Sequence, residues 1–179
     1  MNLFKRCVYG FFAVFSIFLA ADVAIAGTIT NISVSQTSLE TTATSTYTFT
    51  FTPATTINSI NWSDGAYFTF DLDDDFTVSG SNLTSISPAV TGMNINFRSD
   101  SSGTIRMYSG NGSAAINAGT QYTVVIAGIQ NPSTAQTPSN HQITTGNGAD
   151  IVDTGNVAAN AIANDSSDGT SPYSIPLPG

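Results

Sequence analysis

Residues 47–52 read YTFTFT, with an aromatic ring at every odd position and a threonine at every even one. This is the period-two signature of a strand with one buried face and one wet face. Tyr47, Phe49 and Phe51 share one side and Thr48, Thr50 and Thr52 the other. The stretch therefore sets an expectation of β structure that the rest of the chain can be tested against.

The neighbouring stretches follow the same rule. AYFTFDL (66–72) places Phe68, Phe70 and Leu72 together, and MNINF (93–97) does the same for Met93, Ile95 and Phe97. TIRMY (104–108) sets Ile105 and Met107 opposite Arg106 and Tyr108, while YTVVIAGI (122–129) is continuously apolar, as a central strand is. ITNISVS (29–35), FTVSG (76–80), LTSIS (83–87) and HQITT (141–145) are weaker strand candidates. Turn signals lie between them: TPATT, SDG, SGNGS, NAGT, NPSTAQTPSN and GNGAD. NVAANAIAND (156–165) is too short and too rich in Asn to predict a helix. Short strands at this spacing predict an all-β fold, a single antiparallel β-sandwich.

The order TYTFTFTPATTI (46–57), AYFTFDLDDDFTVSG (66–80), YTVVIAGIQNPSTAQTPSNHQITT (122–145) and ADIVDTG (149–155) resembles the immunoglobulin-like β-sandwich modules of secreted and cell-surface microbial proteins. In that pattern an early aromatic-Thr strand precedes a strand that ends in a Pro- or Asp-bearing turn before a Phe. A later apolar strand closes in I-x-N-P, here Ile129 to Pro132. The resemblance implies an immunoglobulin-like sandwich. The family pattern often has proline where this chain has Asp73 or Asp74, so the turn here is more acidic.

The N-terminus is read apart from the fold. Lys5 and Arg6 precede the apolar run CVYGFFAVFSIFLAA, and AIA follows at 24–26. A basic start, a short apolar core and a small-x-small site describe a secretory signal peptide, residues 1–26. The run is shorter than the roughly 20 residues that cross a bilayer, so the expected mature chain has no transmembrane segment. The sandwich is assigned to 27–158, and 159–179 reads as a flexible polar tail. Cys7, the only cysteine, falls in the leader, so neither a disulfide nor a thiol serves the mature chain.

The chain holds 12 acidic and 4 basic residues. Removal of 1–26 takes Lys5, Arg6 and Asp22, leaving Arg98 and Arg106 as the only cations against 11 acids. Such a surface repels phosphate backbones and anionic lipid heads, so nucleic acid is excluded as a partner.

Four of those acids, Asp71, Asp73, Asp74 and Asp75, crowd FDLDDDFTVSG (70–80). Alternation sends Asp71 and Asp73 outward, puts Asp74 and Asp75 in a turn, and returns Phe76 to the core. The four could supply oxygens to calcium, which takes six to eight hard ligands, or they form a solvated strand end. NDSSDG (164–169) begins like a calcium loop but has Ser166 at its third position and Ile175 at its twelfth, and reads as a spacer. His141 is the only histidine, no G-x-S-x-G occurs, and after residue 26 there is no Lys or Cys. With no Cys, no Lys, one His and one Glu after residue 26, the catalytic vocabulary is poor, so no catalytic residue is assigned and no enzyme is expected. Trp62 is expected in the core, with a sugar-stacking platform as its alternative. The five N-x-Ser/Thr sequons, at Asn31, Asn61, Asn82, Asn111 and Asn164, arise readily in a Ser/Thr-rich chain.

The functional expectation is a secreted or surface-exposed, non-catalytic protein with a structural or adhesive role. Its candidate partners are a cell-surface or matrix protein, a carbohydrate, or copies of itself. One alternative is a fibre subunit in which Gly27–Gln36 or Tyr173–Leu177 adds a strand to a neighbour's sheet. The other is a hydrolase that works through its aspartates.

Overall fold

The protein is seen here as a computed structural model that describes residues 26–58, 65–109, 114–138, 140–148 and 150–163. The leader, Trp62, the sequons at Asn61, Asn111 and Asn164, and the NDSSDG and Tyr173–Leu177 stretches lie outside the described residues. In chain order the strands are β1 (Gly27–Thr28), β2 (Thr30–Gln36), β3 (Thr44–Thr52), β4 (Ile57–Asn58), β5 (Ala66–Asp71) and β6 (Asn82–Ser87). They continue as β7 (Met93–Ser99), β8 (Thr104–Ser109), β9 (Ala115–Ile116), β10 (Tyr122–Gln130), β11 (His141–Asn147) and β12 (Asp150–Val157). Among the described residues there is no helix.

Two sheets face each other. One has the order β1-β12-β11-β5-β8-β7, the other β2-β3-β10-β6, and a small β4-β9 ribbon stands beside them. Every pairing is antiparallel except β1 with β12, which is parallel. The chain is thus an all-β sandwich. The YTFTFT alternation works as expected: Tyr47, Phe49 and Phe51 are fully buried, and the intervening threonines are not. Their rings meet those of β5 across the gap, Phe49 to Phe70 at 4.6 Å and Phe51 to Phe68 at 5.2 Å and 83°. Each such phenylalanine contributes about 1.5–3 kcal/mol through burial. Ile105, Met107 and Ile143 continue the inner face on the strands that flank β5.

A buried polar knot ties the Asn-Pro turn to this core. Tyr47 Oη donates to Asn131 Oδ1 at 2.8 Å, and Asn131 Nδ2 donates to the carbonyls of Ser38 (3.1 Å) and Glu40 (2.8 Å). Both the ring hydroxyl and the amide are thereby satisfied, as buried polar groups must be. Burial also pushes the Tyr47 hydroxyl's pKa well above its ordinary value.

Several local expectations change. FTVSG forms no strand; Thr77 makes one isolated bridge to Gln130, and Asp100 Oδ1 accepts from the backbone N–H of Val78 (2.6 Å) and Ser79 (2.7 Å). A hydrogen bond from the Ser79 side chain, and after it the backbone N–H of Val78, lowers the Asp100 pKa. Gly27–Gln36, one of the two segments offered for strand addition in the fibre alternative, pairs within its own chain, β1 on β12 and β2 on β3. Packing also runs past residue 158. Ile162 is 2 % exposed and exchanges backbone hydrogen bonds with Gln136, and Ala163 bonds to Leu39 and Thr41.

His141 opens β11 inside the core, 1 % exposed, with its ring edge-on to Tyr47, Phe49 and Phe76. Neither ring nitrogen has a partner among the described residues, so no serine or aspartate there forms a triad with it. Burial lowers its pKa from 6.5 to about 4, against an opposing pull from the Asp73 charge. The unfolded chain takes up this proton near pH 6.5, whereas the folded chain refuses it until about pH 4. Stability contributed by neutral His141 is therefore intact above pH 6.5 and drains away as pH falls toward 4, by on the order of 3 kcal/mol. Denaturant titrations between pH 7 and 4 are expected to show this loss in the parent and a flatter slope in His141→Phe; parallel slopes would contradict it.

Candidate functional site

The acidic turn separates as its side chains leave the sheet. Asp71 ends β5 on the outer face, where its Oδ1 accepts from Thr104 Oγ1 at 3.0 Å. Leu72 returns to the core, 5 % exposed, and Phe76 closes the turn by donating its backbone N–H to the Asp73 carbonyl at 3.1 Å. Between them, Asp73, Asp74 and Asp75 bring one carboxylate oxygen each to within 4.8 Å of the others. Asp75 Oδ2 also accepts from Gln136 Nε2 at 3.0 Å. The Asp74 pKa is raised, first by a hydrogen bond with Asp73 and then by the charges of Asp73 and Asp75. The fourth expected ligand, Asp71, is not part of this trio. These are hard oxygens of the kind calcium takes; at one oxygen from each carboxylate they supply three of its usual six to eight ligands.

Asp71 belongs to a different place, the outer face of the six-stranded sheet. Because Phe68 and Phe70 point inward, Tyr67, Thr69 and Asp71 point outward, and Arg106 lies opposite Thr69 on β8. The Arg106 guanidinium stacks on the Tyr67 ring, 3.8 Å from its centroid. Its Nη2 donates to the Gly148 carbonyl at 3.0 Å, and Tyr67 Oη donates to the Asp150 carbonyl at 2.8 Å. The ring fits only because Gly146 lies beneath it, since a Cβ there would collide with Tyr67 Cζ and Oη. Burial raises the Tyr67 pKa and Arg106 partly offsets this. Around the pair runs a groove with two adjoining hollows. One, of about 300 Å³, is lined by Tyr67, Thr69, Asp71, Arg106, Gln142, Thr144 and Ile151. The other, of about 430 Å³, is lined by Thr69, Asn96, Phe97, Thr104 and Arg106.

Two β-bulges supply the groove's apolar flanks. Without irregularity, Ile95 opposite Met107 would place Asn96 opposite Arg106 and Phe97 inward. The register shifts between Ile95 and Phe97, so Phe97 itself faces Arg106 on the outer side and is 51 % exposed. This corrects the expectation that Met93, Ile95 and Phe97 share one face. A second shift lies between Thr145 and Gly146, where Gly146 pairs with Ile151. Ile151 is thereby turned outward and is 55 % exposed. Sequence alternation identified the outward places of Arg106 and Asp71, but carried no signal for either bulge.

No protein-family model matches the chain, and neither does any curated protein. Among solved structures it is similar to the crystal structure of BslA, a bacterial hydrophobin, with 11 % identity and a TM-score of 0.44 over 79 % of this chain and 98 % of that one. It is also similar to the sixth cohesin of Acetivibrio cellulolyticus scaffoldin B, solved with a Cel5 dockerin mutant: 16 % identity, TM-score 0.33, 73 % of this chain and 98 % of that one. A third is AvmM, which catalyses macrocyclization in alchivemycin A biosynthesis: 11 % identity, TM-score 0.37, 81 % of this chain and 92 % of that one. At these scores none of them assigns a family or an activity, and the sandwich is defined by its own strand pairing.

Like charges crowded in the Asp73–Asp75 turn repel one another, and salt screens exposed charges of this kind. Asp74→Asn is therefore expected to raise the melting temperature at neutral pH in low salt, with the gain shrinking as salt is added. A lower melting temperature in the variant, together with a calcium-dependent rise in the parent alone, would instead identify a calcium site.

Proposed function

We propose that the protein is exported, processed after Ala26, and acts without catalysis as a module that binds neutral polysaccharide. The recognition surface in this reading is the outer face of the six-stranded sheet. The observation that carries it is the groove itself, in which Arg106 stacked on Tyr67 is surrounded by the polar ends of Asp71, Gln142, Thr144 and Asn96 and flanked by exposed Phe97.

The chemistry supports a sugar chain in three ways. Carboxylate, amide and guanidinium groups are planar forks that engage adjacent hydroxyls as donors and acceptors together. An exposed ring such as Phe97 offers a flat apolar face to the C–H side of a pyranose. The groove also crosses β7, β8, β5, β11 and β12, roughly 19 Å at ordinary strand spacing, which suits an extended chain. The acidic surface, with Asp71 in the groove, disfavours anionic glycans and leaves neutral ones.

The test is retention on insoluble neutral polysaccharides, followed by calorimetry with soluble oligomers of whichever is bound. Phe97→Ala and Arg106→Ala are each expected to weaken binding at least about tenfold, roughly 1.4 kcal/mol. Thr48→Ala, on the outer face of the other sheet, is expected to leave it unchanged. Failure to bind any neutral polysaccharide, or full binding by Phe97→Ala, would contradict the proposal.

A further inference from the structure

Asp153 is the only carboxylate among the described residues that is fully buried. On β12 it faces inward, and its Oδ2 accepts from the backbone N–H of Ala54 (3.1 Å) and Thr55 (2.9 Å) and from Thr145 Oγ1 (3.3 Å). Its Oδ1 is equally buried and has no partner among the described residues. An unmatched carboxylate oxygen inside a protein is costly, so a donor is called for at this point.

The atom group lying against Oδ1 is the backbone of Gly27. In the parallel β1–β12 pairing Gly27 is the register partner of Asp153. A Cβ on Gly27 would collide with Asp153 Oδ1 and press to 3.1 Å from both Ala54 Cβ and Thr55 Oγ1. Glycine is thus the residue that lets the backbone approach the carboxylate this closely. Ala26, immediately before it, is exposed. While the Ala26–Gly27 bond is intact, the Gly27 nitrogen is a neutral amide with one donor. Hydrolysis of that bond adds water across it, leaving a carboxylate on the released leader and an ammonium with three donors and a positive charge on Gly27. The freed nitrogen is then held only by rotation about its own Cα–C bond, next to the unmatched oxygen.

We propose that the α-ammonium of Gly27, created by processing, is the missing partner of Asp153, and that this ion pair clasps β1 to β12 and to the turn at Ala54–Thr55. The inference rests on the proposed cleavage after Ala26. It makes maturation a stabilising event: the precursor keeps Asp153 half-satisfied, and the mature chain completes it. Breaking or withholding one partner of a buried pair costs far more than an exposed pair contributes.

The experiment compares two defined chains that both end at Gly179, one beginning at Gly27 and one at Ile25. The chain beginning at Gly27 is expected to melt at least about 4 °C higher, with Asp153→Asn reducing that difference to within about 1 °C. Its α-amine is also expected to react with an acylating reagent at neutral pH at least about tenfold more slowly than that of the longer chain, because a paired ammonium is not nucleophilic. Equal melting temperatures and equal acylation rates would overturn the pair. If Asp153→Asn does not fold, the acylation comparison between the two parent chains decides alone. N-terminal sequencing of the exported protein tests the cleavage separately: a first residue other than Gly27 refutes processing after Ala26, while the comparison of defined chains still decides whether the amine and Asp153 pair.

Discussion

The interlocking of β3 rings with β5 rings is the contact on which the other placements depend. Phe49 against Phe70 and Phe51 against Phe68 commit both strands to one register of inside and outside. A one-residue slip of β5 would bury Thr69 and Asp71 and expose two phenylalanines, several kcal/mol in the wrong direction. With that slip forbidden, Tyr67, Thr69 and Asp71 must look outward, and the strands flanking β5 align Arg106, Gln142 and Thr144 beside them. The groove is a consequence of the core.

Sequence alternation reached the part of the core carried by regular strands, because burial repeats every two residues there, but not Ile57, Val90, Ile116 or Ile162, which lie in short ribbons, turns and bridges. Tyr47, Phe49, Phe51, Phe68, Phe70, Leu72, Phe76, Ile105 and Met107 are all where that period puts them. It failed where the period itself is broken. The bulges beside Phe97 and Ile151 each insert one residue and turn an apolar side chain outward, and composition does not mark such a position. The acid cluster drew attention by its density, yet density did not reveal that Asp71 parts from Asp73, Asp74 and Asp75. Nor could local pattern reveal long-range partners: Asp100 caps residues 78 and 79, and Asp153 receives the turn at 54–55.

Three buried polar groups divide the interior by how well they are matched. The Tyr47–Asn131 knot is satisfied and anchors the Asn-Pro turn. His141 has no partner among the described residues and stays neutral by lowering its proton affinity, which ties stability to pH. Asp153 is matched on one oxygen, while the other, against Gly27, has no partner among the described residues. A core of aromatic and aliphatic side chains without disulfides tolerates few such groups, so how each is matched bears directly on stability.

On the proposed reading, the outer face of the six-stranded sheet is the recognition surface. Backbone amide NMR of the mature chain, titrated with a neutral oligosaccharide, addresses it most directly. Shifts are expected at Tyr67, Thr69, Asn96, Phe97, Arg106, Gln142 and Thr144, with β3 and β10 silent. Shifts confined to the Asp73–Asp75 turn or to the four-stranded sheet would contradict it.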